Sequence, residues 1–169
     1  MLDTSKKEAI YTASYCSPVG NITLGSDGEA LTGLWLEGQK FFLGKYKEAE
    51  KNDGLEIFRE TRSWLDAYFK GENPKITMPL SPEGTEFQQK VWKELEKIPY
   101  GRTVTYGEIG RRLGIKSAQA IGGAVGRNPI SIIIPCHRVI GKNGTLTGYA
   151  GGIDKKLILL KLENTEGRE

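Results

Sequence analysis

The chain places a thiol and its only imidazole side by side, in the run Ile-Ile-Ile-Pro-Cys-His-Arg-Val-Ile over residues 132–140. Cys136 follows an apolar run, His137 comes next, and Arg138 follows them. Sulfur attacks as a thiolate, and a neighbouring base supplies that state near neutral pH. The grouping therefore predicts a nucleophile at Cys136, with His137 as the base that activates it.

An inert thiol or a metal site accounts less well for the cysteine and histidine residues. A buried thiol that does no chemistry is common in proteins, but the Pro-Cys-His-Arg context is unusual for a residue that only packs. Two distant cysteines and one histidine lack the ligand spacing of a zinc site, so the sequence predicts no metal. Cys16 stands alone after a predicted strand and is interpreted as structural.

The element predicted before Cys136 limits how it cooperates with His137. Residues 130–134 are apolar and β-branched apart from Ser131, which indicates a buried strand that Pro135 ends. Successive side chains of a strand point to opposite faces. Either the chain turns at Cys136, or a water molecule bridges the thiol and the imidazole.

A base of this kind needs an orienting partner, and Glu163 is the candidate. It lies one turn beyond Leu159 and Leu160, on the apolar face of a helix that Asp154 is expected to open. A carboxylate on such a face is costly unless it is paired, and a helix C-terminus disfavours negative charge. The alternative is an exposed carboxylate at a fraying helix end.

Three helices are predicted upstream of the nucleophile. Thr85 and Thr105 each stand three residues before a Gln or a Glu, which matches the capping-box pattern of a helix start. Gly114 ends the second helix, and a third can begin at Ser117. The second and third helices therefore form a helix-turn-helix pattern.

The third predicted helix, over residues 117–126, holds three glycines in ten positions. Each costs about 1 kcal/mol relative to alanine, so another requirement outweighs helix stability. Either the helix packs closely on the protein's own core, or its smooth surface approaches nucleic acid. Only Gln119 could contact base edges, so shape-based contact in a minor groove is favoured over sequence-specific readout in the major groove.

The N-terminal half carries none of this chemistry and is predicted to be a supporting lobe. Three strands are expected at residues 10–15, 21–26 and 30–36, and a helix over residues 55–70. The fold class is therefore α+β, with a small three-stranded sheet lobe that includes one helix and a mainly helical second lobe.

The boundary between the two predicted lobes falls at residues 78–84, where proline, serine and glycine cluster. This divides the chain into a supporting lobe over 1–80 and a second lobe over 84–169. Residues 1–84 carry 10 Lys+Arg and 13 Asp+Glu, whereas residues 85–169 carry 14 and 8. The basic second lobe suggests a polyanionic partner, although ordinary surface charge gives the same count.

The remaining bulk properties exclude several classes of protein. The 169 residues contain no apolar run long enough to span a membrane, and the N-terminus lacks the apolar stretch of a signal peptide. Two cysteines give no disulfide framework. Together these features favour a reduced, cytoplasmic setting without membrane association.

The C-terminal lobe resembles the O6-alkylguanine-DNA alkyltransferases over about residues 84–165. The resemblance rests on Pro-Cys-His-Arg-Val at 135–139, with Asn-Pro before it at 128–129 and Gly-Tyr-Ala-Gly-Gly after it at 148–152. The run Ile-Pro-Tyr-Gly-Arg-Thr-Val-Thr-Tyr at 98–106 is also similar. The N-terminal lobe matches only in general layout, as a small ribonuclease-H-like sheet.

The resemblance implies DNA repair that each molecule carries out once, as a monomer and without a cofactor. Double-stranded DNA binds through its minor groove, and an O6-alkylguanine is flipped into a pocket. Cys136 then takes the alkyl group irreversibly, while His137 removes the thiol proton through a water and Glu163 orients the imidazole. Tyr106 helps to neutralise the leaving guanine, and Asn128 holds the active-site turns together.

The resemblance also implies residues that contact the lesion and the duplex. Those of the pocket wall are Val139, Tyr149 and Ala150. Those that contact DNA are Thr105, Ser117, Gln119, Ala120, Gly123, Arg127 and Arg138.

One position departs from the family. Where this chain has Gln119, the family usually has an arginine that enters the base stack in place of the flipped nucleotide. Glutamine is shorter and neutral, so we expect weaker DNA affinity or slower flipping, with the chemistry retained.

Three functions compete with alkyl transfer. A thiol hydrolase could use Cys136, His137 and Glu163 in turnover, given an oxyanion hole. A non-catalytic relative could bind the lesion and recruit other proteins, but relatives of that type lack the cysteine. A plain DNA-binding regulator is the weakest option, because the reading helix is nearly featureless.

Overall fold

A four-stranded sheet forms the first part of the structure, a computed structural model that describes residues 10–39, 49–146, 149 and 151–163. Its order is β3-β2-β1-β4. The first three strands, which pair antiparallel, confirm the prediction, whereas β4, parallel to β1, was missed because its two exposed charged residues carry no strand signal. The strands are β1 (Tyr11–Ser17), β2 (Gly20–Ser26), β3 (Leu31–Leu36) and β4 (Glu50–Lys51).

Helix α1 (Glu56–Phe69) packs on this sheet, as the spacing of its apolar residues predicts. Its buried face includes Phe58, Leu65 and Tyr68, which are fully enclosed. Removing such side chains from water stabilises the fold by about 1.5–3 kcal/mol each. The hydroxyl of Tyr68 extends from this lobe to Glu163 of the second lobe.

Four further helices form the second part of the structure. They are α2 (Glu86–Glu96), α3 (Tyr106–Leu113), α4 (Ala118–Gly126) and α5 (Ile153–Leu162). The capping boxes at Thr85 and Thr105 are both present, and Gly114 ends α3 in the left-handed conformation at a φ of 72°. Helix α5 begins at Ile153 after Gly152, without a side-chain cap, so the expectation that Asp154 opens it is wrong by one residue.

Residues 130–134 do not form the predicted strand. Only Ile130 makes a bridge, to Leu34, and the chain then turns. Ile132 takes a φ of 72°, a left-handed conformation that β-branched residues rarely adopt. The run is apolar because it is buried and not because it is extended, and an apolar pattern does not distinguish the two.

A short parallel ladder joins the nucleophile to the α3–α4 helix pair. Strand β5 (Val104–Thr105) pairs with β6 (Val139–Ile140), which directly follows the turn that carries Cys136. Thr105 is also the cap of α3. Two residues of strand therefore fix the start of α3 relative to the thiol.

The outer edge of β3 connects the two lobes. Near the start of β3, the amide of Leu31 donates to the carbonyl of Pro79 at 2.9 Å. Further along the same edge, the amide of Leu34 donates to the carbonyl of Pro129 at 2.8 Å, and the carbonyl of Leu34 accepts from the amide of Ser131 at 3.0 Å. The segment before Cys136 is thus hydrogen-bonded to the edge of the sheet. Across the described residues, no helix is long and apolar enough to cross a membrane.

Candidate active site

Cys136 opens a single 3-10 turn, Cys136–Arg138, between Pro135 and β6. Its amide donates to the carbonyl of Ile134 at 2.8 Å, and its own carbonyl accepts from the amide of Val139. The chain therefore does turn at the nucleophile, which was one of the two geometries that allow the thiol and His137 to cooperate.

The protonation state of the thiol follows from its burial. Only 4% of Cys136 is exposed. Burial raises the pKa of the Cys136 thiol, and a hydrogen bond from Asn128 together with the positive charge of Lys156 opposes this rise only in part. The sulfur therefore holds its proton at rest, and a base has to receive that proton as the thiol reacts.

His137 is fully buried and presents one ring nitrogen to an acid. Its Nε2 lies 2.7 Å from Oε2 of Glu163. Because an ionised carboxylate only accepts, Nε2 carries the hydrogen and Nδ1 holds the lone pair. Burial lowers the pKa of His137 despite the opposing charge of Glu163, so the ring is neutral near pH 7 and Nδ1 is available as a base.

The carboxylate of Glu163 is the centre of a buried hydrogen-bond network at the end of α5. Besides His137, it accepts from Nε of Arg138 at 2.8 Å, from Nη2 of Arg138 at 3.0 Å and from the amide of Gly101 at 3.3 Å. Burial alone would raise the pKa of Glu163, but the hydrogen bond from neutral His137 and the hydrogen bonds and positive charge of Arg138 hold it well below its usual range. Glu163 is 2% exposed, which excludes the fraying-end alternative.

The structure contradicts the expectation that Arg138 contacts DNA. The residue is 9% exposed, and its guanidinium is occupied by Glu163 and by the carbonyl of Ile98, which accepts from Nη1 at 2.7 Å. Its guanidinium carbon also lies 5.7 Å from the centre of the Tyr100 ring. Arg138 therefore points into the protein, where it neutralises the Glu163 carboxylate.

Tyr68, which the sequence places only on a helix face, reaches the same carboxylate from α1. Its hydroxyl donates to Oε2 of Glu163 at 2.5 Å, and the side chain is fully buried. The one signal available in the sequence was that a tyrosine on a buried face needs a partner for its hydroxyl. Sequence alone does not say which partner.

Lys156 is a second buried residue of the candidate site that the sequence did not reveal. It is fully buried on α5, and its Nζ donates to the carbonyl of Val139 at 2.6 Å. Burial lowers the pKa of Lys156 to about 8, against the opposing influence of Cys136. The ammonium therefore persists near neutral pH close to the thiol. A lysine one turn before Leu160 on an apolar helix face was the available signal.

Asn128 fixes the turn that leads to the nucleophile. Its Nδ2 donates to the carbonyls of Ile134 at 2.8 Å and Ile130 at 3.3 Å, and its Oδ1 accepts from the amide of Ile130 at 3.0 Å. These bonds satisfy backbone groups that a strand would have paired with a neighbour. One buried side chain thus replaces the ladder that the apolar pattern predicted.

The residues expected in the pocket wall lie near the thiol where they are described. Val139 is fully buried and Tyr149 is 8% exposed, and burial raises the pKa of the Tyr149 hydroxyl well above its usual value. Ala150 lies outside the described residues. Ser131, in the same region, donates its hydroxyl to Oε1 of Gln39 at 3.1 Å, a contact between the lobes that the sequence did not indicate.

Helix α4 presents the surface on which the predicted DNA contacts lie. Ser117 caps the helix by accepting from the amide of Ala120 at 3.0 Å. Gln119, Ala120 and Arg127 are exposed, whereas the opposite face of α4 is buried. Nη1 of Arg127 also donates to the carbonyl of Gly123 at 3.4 Å.

The glycines of α4 are not required by packing among the described residues. A Cβ at Gly122 would come no closer than 3.9 Å to another atom, the Tyr106 ring, and one at Gly123 no closer than 3.6 Å. A Cβ at Gly126 would meet nothing within 4 Å. Alanine therefore fits at all three positions, which favours an external partner over the protein's own core as the reason for this smooth surface.

Thr105 caps α3, and Tyr106 is the first residue of that helix, where its ring lies against α4. Tyr106 is half-buried, and its ring lies next to Gly122. It lines a cavity of about 350 Å³, together with Arg111 and Lys116. The exposed basic residues of the chain from just before β5 to the C-cap of α4 are Arg102, Arg111, Arg112, Lys116 and Arg127.

No group of three or more potential metal ligands occurs among the described side chains.

The arrangement has the pattern of a known family. The model of the 6-O-methylguanine DNA methyltransferase DNA-binding domain matches residues 86–165, and the model of the ribonuclease-like domain of the same family matches residues 10–82. This chain belongs to that family. The four-stranded sheet with its helix and the helical second part correspond to the two domains.

Relatives with this name are similar along nearly the whole chain. The methylated-DNA–protein-cysteine methyltransferase of Methanosarcina acetivorans is 50% identical over 161 residues, covering 92% of this chain and 99% of that protein. The protein of the same name from Haemophilus influenzae is 46% identical, covering 92% and 87%. The crystal structure of Mycobacterium tuberculosis OGT in complex with DNA superposes with a TM-score of 0.84 at 44% identity, covering 92% and 93%.

Proposed function

We propose that this protein repairs DNA by transferring the alkyl group of O6-alkylguanine to Sγ of Cys136, once per molecule. The observation that carries the proposal is the buried contact between Nε2 of His137 and Glu163, beside the buried thiol of Cys136 in the same turn, in a family whose relatives are named for this reaction. A thiol that must stay reduced suits the cytoplasm, and we infer that the protein acts there as a monomer.

The proton path follows from the tautomer of His137. Glu163 holds Nε2–H, so the lone pair of Nδ1 is the group that can take the thiol proton. We infer that a water relays the proton from Sγ to Nδ1. Lys156, tied to the carbonyl of Val139, supplies positive charge that stabilises the thiolate as it forms.

The chemical step is an in-line displacement at the alkyl carbon. The sulfur lone pair forms the new S–C bond while the C–O6 bond breaks, and its electron pair remains on the guanine oxygen. The guanine gains one proton and the thiol loses one, so the products are S-alkylcysteine and guanine. We infer that the hydroxyl of Tyr106 donates to the leaving base. No bond to sulfur is left that water can readily cleave, and the protein is not regenerated.

The base reaches the thiol by leaving the duplex. We infer that α3 and α4 act as a helix-turn-helix that lies in the minor groove, with the exposed small side chains of α4 against the sugar edges and the surrounding arginines and lysines on phosphates. Base flipping then brings the alkylguanine into the region of Tyr149 and Val139. Gln119 is the exposed side chain that can occupy the gap in the stack.

Intact-mass analysis after mixing the protein with O6-methylguanine duplex tests this proposal. The expected result is a gain of one methyl group per protein, which stops at one equivalent and is absent in Cys136→Ser. A matched control is Cys16→Ser, which removes the exposed cysteine and should leave the gain intact.

The remaining outcomes of the same experiment separate the alternatives. Methyl release into solution over many cycles would show a thiol hydrolase instead. Tight binding of the lesion duplex without a mass gain would show a non-catalytic lesion binder. The absence of both lesion binding and a mass gain would overturn the proposal.

A further inference from the structure

The hydroxyl of Tyr68 crosses from one lobe to the acid–base pair of the other. Its oxygen lies 2.5 Å from Oε2 of Glu163 and 3.5 Å from Nε2 of His137. The ring is held by Trp64, which stacks on it with centroids 5.2 Å apart, and by Phe69 and Tyr100, which meet it edge-on. The ring is therefore held by packing from α1 and from Tyr100 of the second lobe, in addition to the contacts of its hydroxyl.

We propose that Tyr68 is a positioning residue of the alkyl-transfer reaction, which acts through Glu163 to limit the basicity of His137. The expected change in the rate of alkyl transfer rests on the proposed function. The expected change in the titration of His137 does not. This role of Tyr68 gives the N-terminal lobe a part in the chemistry, beyond support.

Tyr68 and His137 share one oxygen of the Glu163 carboxylate. Oε2 accepts from His137, from Tyr68 and from Nη2 of Arg138. Each donor withdraws part of the negative charge that would otherwise stabilise a protonated imidazole. Tyr68 makes the shortest of these three contacts, so its removal should concentrate charge on the side of the carboxylate that faces His137.

The hydroxyl is suited to this task because it remains a donor. Burial raises the pKa of Tyr68 far above its usual value, and the negative charge of Glu163 raises it further. The phenol therefore does not ionise over the working pH range. Arg138 neutralises the same carboxylate as a fixed charge, whereas Tyr68 adds a neutral donor whose loss changes no formal charge.

Several other charged or titratable groups lie around the imidazole, and one of them, Arg138, also donates to Oε2 of Glu163. Arg138 and Lys156 both lower the pKa of His137 by their positive charge. Cys136 precedes it in the same turn, and Tyr149 interacts with both Cys136 and Glu163. Replacing Tyr68 by phenylalanine leaves all of these in place. The groups are Cys136, Arg138, Tyr149, Lys156 and Glu163.

The direct test is the titration of His137 in Tyr68→Phe without DNA. Because the chain has one histidine, protein labelled with 15N only at histidine reports this ring alone. We expect the pKa of His137 to rise by about one unit, since the loss of one charge-assisted hydrogen bond is of that size. The matched control is Tyr15→Phe, which removes a 2.6 Å hydrogen bond to Asp66 on the same helix and should leave the titration unchanged.

The kinetic test is the pH dependence of single-turnover methyl transfer. In Tyr68→Phe the acid limb of the profile should move up by about one unit, so that repair below the midpoint slows about tenfold while the plateau rate does not fall. A merely structural role would lower the rate equally at every pH and leave the limb in place. An unshifted titration together with an unshifted limb overturns the proposal.

A second background tests whether Tyr68 acts on His137 through Glu163. Glu163→Gln removes the charge through which Tyr68 is argued to act, so adding Tyr68→Phe to it should produce no further shift of His137. A full shift in that background would show that the hydroxyl acts on the imidazole directly and would overturn the proposal. Failure of methyl transfer in the wild-type protein, with the expected titrations, would instead remove the proposed function.

Discussion

Arg138 and Glu163 form a buried ion pair in which one guanidinium donates to both carboxylate oxygens. Nε reaches Oε1 at 2.8 Å and Nη2 reaches Oε2 at 3.0 Å. A two-point contact of this kind fixes the plane of the carboxylate, which a single contact leaves free to rotate. The orientation of His137 therefore depends on Arg138, its neighbour in sequence, because both residues bind the carboxylate of Glu163 at the end of α5.

Replacing Arg138 by lysine should disturb both stability and repair. Lysine cannot make the forked contact and would leave part of a buried carboxylate without donors, so we expect Arg138→Lys to lower the free energy of unfolding by about 2–4 kcal/mol. Urea unfolding measures this, and single-turnover transfer should slow in parallel. Arg127→Lys, on the exposed end of α4, is the control and should change stability by less than about 0.5 kcal/mol. Wild-type stability in Arg138→Lys would show that the fork is dispensable.

Stability should decrease on acidification in two stages. The folded-state pKa of His137 is lowered by burial, so below the unfolded value of about 6.5 the unfolded chain binds the extra proton and the free energy of unfolding falls. The pKa of Glu163 is also lowered, by His137 and Arg138, so its contribution is present above the unfolded value of about 4.3 and is lost as pH falls toward the folded value.

Urea unfolding at several pH values separates the two stages. His137→Asn should abolish the decrease between about pH 6.5 and 5 and keep the one below about pH 4.5. A decrease between about pH 6.5 and 5 that persists in His137→Asn would assign it to another group.

Gln119→Arg should accelerate repair of duplex DNA. An arginine at this exposed position adds a charge near the phosphates and a longer side chain to occupy the gap left by the flipped base. Rapid-quench measurements of methyl transfer should show a rate that rises several-fold on duplex substrate and changes little on the free base O6-methylguanine. Equal rates for both proteins on duplex would mean that flipping does not limit this chain.

Gly123→Ala should stabilise the protein and weaken its binding to DNA. The structure has room for the methyl group, so the helix should gain about 0.5–1 kcal/mol from the better propensity of alanine. The same methyl group would hold α4 away from a groove wall. Thermal unfolding together with fluorescence anisotropy on a duplex measures both effects. A gain in stability without loss of affinity would show that the close approach of DNA lies elsewhere on α4.

The sequence predicts most of the helices and strands, because their signals are local. The two capping boxes at Thr85 and Thr105 are examples, since each depends on two residues three positions apart. The turn before Cys136 could not be predicted in this way. Its shape depends on Asn128, whose side chain bonds to three backbone groups, and an apolar pattern does not reveal a left-handed residue such as Ile132.

The same distinction between local signals and contacts that are distant in sequence applies to the candidate site. Cys136 and Glu163 were predicted from local features, an unusual tripeptide and a carboxylate on an apolar face. Tyr68 and Lys156 could not be assigned a role, because their partners lie far away in sequence and the distances come only from the folded chain. Arg138 was misplaced for the same reason, since a charged residue beside a nucleophile in sequence need not point in the same direction.

The outer edge of β3 has a consequence for how this protein can vary. Leu34 exchanges hydrogen bonds with Pro129 and Ser131, so the segment that shapes the approach to Cys136 is templated on a strand from the opposite half of the chain. The conformation of the turn before Cys136 therefore depends on residues from both halves of the chain. Changes in the backbone of β3 should alter the thiol's reactivity, although β3 and Cys136 lie in opposite halves of the chain.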